Sequence, residues 1–99
     1  MRRRRPPPDG TDLPIEVTLY GRPGCHLCEQ AAAMLIDIGG RIPLTMRELS
    51  IEDDDALLSR YVFAIPVILA NGVEIARAPL HRPALEAALR QAASDSRNR

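Results

Sequence analysis

The sequence of 99 residues contains no lysine, only two cysteines and only three aromatic residues. Two cysteines are too few for the disulfide-stapled scaffold of a small secreted domain, which carries about four to eight. The scarcity of aromatic residues requires a core of leucine, isoleucine, valine and alanine. No apolar run approaches the roughly 18 residues that a membrane-spanning helix needs. The net charge of zero gives no global indication of binding to nucleic acid or to a membrane.

The N-terminal segment MRRRRPPPDG combines four arginines with three prolines. Paired arginines can open an export signal, but such a signal requires a following apolar stretch of about 7–15 residues. Prolines, an aspartate and a glycine follow here instead. Residues 1–14 are therefore predicted to form a disordered arm that is solvated rather than bound to nucleic acid. We expect a cytoplasmic, reducing compartment, where a CxxC pair is more often catalytic or metal-binding than structural.

The first half of the remaining chain changes its hydrophobic period at a turn. Apolar and polar residues alternate over residues 15–20, which predicts a strand, and Gly21, Pro23 and Gly24 end it. A helix is predicted from His26 to the Gly39-Gly40 pair. The apolar residues predicted to form its core-facing side are Leu27, Ala31, Met34, Leu35 and Ile38.

The second half supplies the other strands and helices. A second strand is predicted over residues 43–49, and the aspartates at 53–55 are expected to cap a helix rather than bind a metal, because consecutive residues do not converge on one ion. The apolar run 66–70 predicts a buried strand, and Asn71-Gly72 predicts a hairpin to residues 73–76. Leu85, Leu89 and Ala92 mark one face of a last helix. The order βαβαββα predicts an α/β domain over residues 15–93, a four-stranded mixed sheet with helices on both faces, followed by a flexible tail at 94–99.

The two cysteines, Cys25 and Cys28, lie at the predicted junction of the first strand and the first helix. Free backbone amides and the helix dipole stabilise a thiolate at such a position. Residues three apart in a helix are neighbours, so the second sulfur can reach the first. This arrangement favours thiol-disulfide exchange in which Cys25 is the nucleophile and Cys28 resolves the mixed disulfide. Arg22 and His26 are candidates for tuning the local charge, against the alternative of simple solvent exposure.

A metal site is the main alternative for the cysteine pair. Tetrahedral zinc usually takes four ligands, and the chain offers the two cysteines, His26 and the distant His81. His26 lies between the cysteines, and no second CxxC or HxxxH motif completes a site. A non-catalytic module that binds zinc or copper through the thiolates, or that serves in protein interaction, remains the alternative to an enzyme.

Three segments, LYGRPGCHLC, RYVFAIPVIL and NGVEI, resemble the small glutaredoxin-like members of the thioredoxin-fold superfamily over about residues 15–93. The resemblance implies a thioredoxin-like fold and a cis peptide bond before Pro66. That bond would turn the backbone of Ile65 toward Cys25, so that its amide and carbonyl pair with a substrate chain or glutathione. Glutaredoxins carry a basic residue where Arg22 stands. The chain departs from them after the last strand, where RAPLHRPAL replaces a Gly-Gly turn and a polar pair.

The motif and the resemblance together predict a dithiol thiol-disulfide oxidoreductase. Its catalytic residues are expected to be Cys25 and Cys28, with Arg22, Ile65 and Pro66 binding the substrate. The expected partners are a disulfide-containing protein or glutathione, the latter as a cosubstrate. We expect no bound cofactor, no metal, no nucleic-acid or membrane partner, and a monomer.

Overall fold

The chain forms the predicted helices and strands in the predicted order. The computed structural model describes residues 14–97. The strands are β1 (Ile15–Gly21), β2 (Leu44–Ser50), β3 (Val67–Ala70) and β4 (Val73–Arg77), and the helices are α1 (His26–Ile38), α2 (Asp55–Tyr61) and α3 (Arg82–Arg97). One turn of 3-10 helix, Ile51–Asp53, lies between β2 and α2. The predicted α/β class is confirmed.

The four strands form one mixed sheet in the order β2-β1-β3-β4. β1 pairs in parallel with β2 through the α1 crossover, and antiparallel with β3. β3 pairs antiparallel with β4 across the hairpin. The C-terminal ends of β1 and β2 therefore meet at one edge of the sheet, with Gly21 opposite Ser50.

Apolar clusters cover both faces of the sheet. On one face, Leu35 of α1 and Leu89 of α3 pack on inward residues of β1 and β3 such as Val17 and Ile68. On the other face, α2 and the chain around it pack on β3 in a cluster of Ile51, Tyr61, Ala64 and Val67. Helices therefore lie on both faces, as predicted.

The buried side of α1 differs from the prediction at one residue. The buried residues of the helix are Cys28, Ala31, Leu35 and Ile38. Leu27, which was expected to face the core, is 56% exposed. Cys28 occupies the inward position of the first turn, because it lies three residues before Ala31 and seven before Leu35, so the residue before it is turned outward.

Two short-range signals in the sequence form the predicted local structures. Asp54 is the N-cap of α2, and its Oδ1 accepts hydrogen bonds from the amides of Ala56 and Leu57 at 2.8 and 3.1 Å. The Asn71-Gly72 turn has φ angles of 50° and 86°, values that glycine and asparagine tolerate best. These aspartate and turn residues determine where α2 begins and where β3 reverses.

The last helix extends beyond the predicted domain limit at residue 93. α3 runs through Arg97, so it continues into the segment that was assigned to a flexible tail. Of the predicted arm at 1–14, residues 1–13 lie outside the described residues. None of the helices within residues 14–97 combines the length and apolar character that crossing a bilayer would require.

Candidate active site

The two cysteines lie at the edge of the sheet where β1 ends. The chain leaves β1 after Gly21 and turns, with the amide of Cys25 donating to the carbonyl of Arg22 at 3.3 Å. Cys25 has an extended backbone conformation and is the N-cap of α1. Cys28 lies within the first turn of that helix, and the two residues form a disulfide with a Cα–Cα distance of 5.2 Å.

The two sulfurs have different surroundings. Cys28 is buried, at 7% exposure, whereas Cys25 is only half-buried. The backbone amide of Cys28 donates a hydrogen bond to Cys25 Sγ at 3.1 Å. Cys25 therefore combines access to solvent with a hydrogen-bond donor from the start of the helix, whereas Cys28 is largely shielded from solvent.

The close approach of Cys28 to the sheet requires a glycine at position 21. Gly21 is buried, and a Cβ atom added to it would lie 3.0 Å from both the Cβ and the Sγ of Cys28. Carbon atoms pack favourably at about 3.5–4.0 Å, so no larger residue fits without movement. The end of β1 therefore supports Cys28 directly.

A groove of about 340 Å³ opens beside the disulfide. It lies between the turn after β1, the first turn of α1 and the end of β2. Its lining residues are Leu19, Gly21, Arg22, Pro23, Gly24, Cys25, Cys28, Glu29, Glu48, Leu49 and Ser50. The residues of β2 were not among the predicted site residues. The feature that could have identified them is the parallel pairing of β1 and β2, because it brings the C-terminal ends of both strands to the same edge of the sheet.

The two residues predicted to tune the charge have separate environments. Arg22 lines the groove and pairs with Glu52, its Nε and Nη2 donating to Oε2 at 3.1 and 2.8 Å. The side chain of His26 is 78% exposed. Its Nε2 lies 3.1 Å from the side-chain Nε2 of Gln30, and its Nδ1 lies 3.9 Å from the Glu29 carboxylate. The structure therefore brings Arg22 to the cysteines, where its charge is already paired, and leaves His26 at the surface.

The Ile65–Pro66 peptide bond is cis. Pro66 is buried and lines a second, smaller groove of about 160 Å³, together with Leu27 on the other side of the first turns of α1. The amide of Ile65 donates to the carbonyl of Tyr61 at 3.2 Å. Its pairing with a substrate chain, which the resemblance implies, would therefore require this hydrogen bond to be exchanged.

A metal centre would need several converging ligands. Within residues 14–97, no three histidine, cysteine, aspartate or glutamate side chains come together as a potential metal site. His26, one of the ligands considered from the sequence, has its ring directed at Gln30 rather than at the sulfurs.

Several solved structures share this fold. Protein Ne2328 from Nitrosomonas europaea is 26% identical, with a TM-score of 0.70 over 78% of this chain and 93% of that one. The X-ray structure of protein XcR50 from X. campestris is 36% identical, with a TM-score of 0.65 over 76% of this chain and 96% of that one. A mutant thioredoxin from Halobacterium salinarum NRC-1 shares the fold at 16% identity, with a TM-score of 0.60 over 84% of this chain and 78% of that one.

Fold and site together define a protein of thioredoxin-like fold whose CxxC pair lies at the start of the first helix and is disulfide-bonded. The model of the glutaredoxin-like domain family (DUF836) matches residues 16–90, and the chain belongs to this family. No curated protein sequence matches the chain at a significant level. The family and the cysteine pair support a redox function in general terms.

Proposed function

We propose that the protein is a dithiol thiol-disulfide oxidoreductase that reduces disulfides of proteins or mixed disulfides with glutathione. In this proposal Cys25 is the nucleophile and Cys28 the resolving cysteine. The observation that carries it is the difference between the two sulfurs. Cys25 is half-buried, and its Sγ accepts a hydrogen bond from the backbone amide of Cys28, whereas Cys28 is only 7% exposed.

The reaction follows from this difference. The Cys25 thiolate attacks one sulfur of a substrate disulfide; the substrate S–S bond breaks and one thiolate leaves. The Cys28 thiolate then attacks Cys25 Sγ, forms the Cys25–Cys28 disulfide and releases the second substrate thiolate. The substrate gains two electrons and the protein loses two. The Cys28 amide, which lies 3.1 Å from Cys25 Sγ, stabilises the negative charge on that sulfur in the thiolate that attacks the substrate.

The other predicted residues take supporting roles in this proposal. Pro66 lines the smaller groove on one side of the first turns of α1, and Arg22 lines the larger groove on the other side. Ile65, which precedes Pro66 through the cis peptide bond, is assigned to substrate binding through its backbone. His26 remains a surface residue that contributes charge only when it is protonated. Two molecules of glutathione, or a reductase, would return the oxidised protein to the dithiol form. We place this activity in a reducing cytoplasmic compartment and expect a monomer.

The matched pair of serine variants tests the roles of the cysteines. We expect Cys25→Ser to abolish reduction of a small neutral disulfide. Cys28→Ser should instead accumulate a mixed disulfide at Cys25, detected as the mass of the intact protein plus one substrate thiol. A wild-type midpoint potential between about −270 and −120 mV is expected in glutathione buffers, the span of known dithiol exchange proteins. Equal and mild effects of the two substitutions would contradict the assignment and favour a non-catalytic binding module.

A further inference from the structure

The charged residues that line the disulfide groove are Arg22, Glu29 and Glu48. The two carboxylates come from different elements, α1 and β2, and both line the groove because β2 ends beside the start of α1. Glu48 pairs with Leu19 across the parallel strands, and paired residues of neighbouring strands point to the same face of a sheet. Leu19 is buried against α1, so Glu48 lies on the helix-covered face, at its open end.

The single positive charge of the groove is already neutralised. Arg22 donates two hydrogen bonds to Glu52 Oε2, at 3.1 and 2.8 Å. Glu52 is itself positioned, because its amide donates to the hydroxyl of Ser50, the N-cap of the 3-10 turn. An anionic substrate that engaged Arg22 would have to compete with this ion pair.

The negative charges of the groove are not neutralised in the same way. Among the side chains described, those of residues 14–95, no arginine approaches either Glu29 or Glu48 to within 4 Å. The nearest basic group to Glu29 is the ring of His26, 3.9 Å away and 78% exposed. Because the charges of Arg22 and Glu52 offset each other, the groove beside the sulfurs carries an excess of two carboxylates, those of Glu29 and Glu48.

We propose that this groove selects disulfides of basic polypeptide segments over disulfides of anionic thiols such as glutathione. The proposal rests on the proposed function and identifies its substrate class. A cleft lined by charge of one sign concentrates ligands of the opposite sign and repels those of the same sign, with effects on association rates of about 10- to 1,000-fold. Glutathione carries two carboxylates and one ammonium group, so it approaches the groove with a net negative charge. The exchange steps are those given above, with a basic protein thiol as the leaving group.

The test compares matched disulfides on the reduced full-length protein. Two peptides of equal length, one with arginines and one with glutamates flanking a single cysteine, are each joined by a disulfide to 2-mercaptoethanol. The rate is measured as the loss of protein thiols, and hydroxyethyl disulfide, which is neutral, serves as the reference substrate. We expect the basic peptide to react about tenfold faster than the acidic peptide at low salt. In 1 M salt, where the Debye length is about 3 Å, the ratio should fall below about two.

Variants that remove negative charges test whether the preference for basic peptides comes from the carboxylates of the groove. The double variant Glu29→Gln/Glu48→Gln should reduce the ratio of the two peptide rates to about twofold. Glu86→Gln removes one charge from α3, where Glu86 is paired with Arg41 and Arg90 outside the groove, and should leave the ratio unchanged. Equal rates for both peptides, with normal turnover of hydroxyethyl disulfide, would overturn the proposal and leave the proposed function intact. Failure to react with hydroxyethyl disulfide would overturn the proposed function itself.

Discussion

Substitution of Gly21 by alanine tests the contact between the end of β1 and Cys28. The new methyl group would lie 3.0 Å from Cβ and from Sγ of Cys28, about 0.5–1 Å closer than carbon atoms pack at their optimum. Cys28 has little room to move, because its Cβ is fixed by α1 and its sulfur by the disulfide to Cys25. Overpacking of this kind costs about 1–3 kcal/mol, so we expect the oxidised Gly21→Ala protein to be destabilised by that amount.

The reduced form should tolerate the same substitution better. Once the disulfide is opened, the sulfur of Cys28 can rotate away from the new methyl group, and only the contact with Cβ remains. A difference of about 1.4 kcal/mol between the two redox forms corresponds to about 30 mV for a two-electron couple. Because the oxidised form loses more stability, the midpoint potential should become less negative by about that amount.

Two measurements on each redox form test this reasoning. Urea unfolding gives the destabilisation of the oxidised and reduced proteins, and equilibration in glutathione buffers gives the midpoint. Gly40→Ala is the control, because Gly40 is exposed, does not line the groove, and would bring its new methyl group close only to the carbonyl of Asp37. Oxidised Gly21→Ala as stable as wild type would refute the contact. Equal destabilisation of both redox forms, with an unmoved midpoint, would refute the part assigned to the sulfur.

Substitutions at three further positions test the core, a helix cap and an ion-pair network. Leu35→Ala, at a fully buried position between α1 and the sheet, should lower the free energy of unfolding by about 2–5 kcal/mol in urea titrations; a loss below about 1 kcal/mol would show that the site collapses around the smaller residue. Asp54→Ala should cost about 1 kcal/mol, and Asp54→Asn clearly less, since asparagine also caps helices. Hydrogen bonds from Arg41 and Arg90 lower the pKa of Glu86. The stability that this carboxylate contributes is therefore present above the ordinary glutamate pKa of about 4.3 and is lost as the pH falls through its lower folded value. The stability difference between wild type and Glu86→Gln should thus be constant near neutral pH and shrink below about pH 4.3, and a difference independent of pH would contradict this assignment.

The features that could be predicted from the sequence are those determined by residues close together in the chain. The CxxC pair at the end of a strand, the aspartate cap of α2 and the Asn71-Gly72 hairpin each depend on a few consecutive residues. The cis bond before Pro66 is different, because its expectation came from the resemblance to glutaredoxin-like proteins rather than from local chemistry. Because only a small minority of bonds before proline are cis, the sequence around Pro66 alone does not predict the cis bond.

Features that depend on strand register or on distant partners were not predictable in the same way. Leu27 fits the helical pattern of apolar residues. Cysteine is apolar as well, however, and Cys28 rather than Leu27 takes the inward position. The partner of Arg22 lies 30 residues further along the chain, so its pairing could not be derived from local sequence. Glu48 enters the site only through its register with Leu19.

In the proposed function, these long-range features separate the chemistry of the site from its selectivity. One segment, from the end of β1 to the first turn of α1, contains Gly21, the two sulfurs and the Cys28 amide that donates to Cys25 Sγ. These groups determine how the disulfide opens and closes. The carboxylate of Glu48 and the partner of Arg22 come from β2 and the turn after it, a segment that carries no recognisable motif. Proteins that keep the first segment and change the charges of the second should therefore reduce neutral disulfides at similar rates and differ in their preference among charged ones. Substrate preference in such proteins has to be determined from the residues beside the CxxC motif in space, because the motif itself does not carry it.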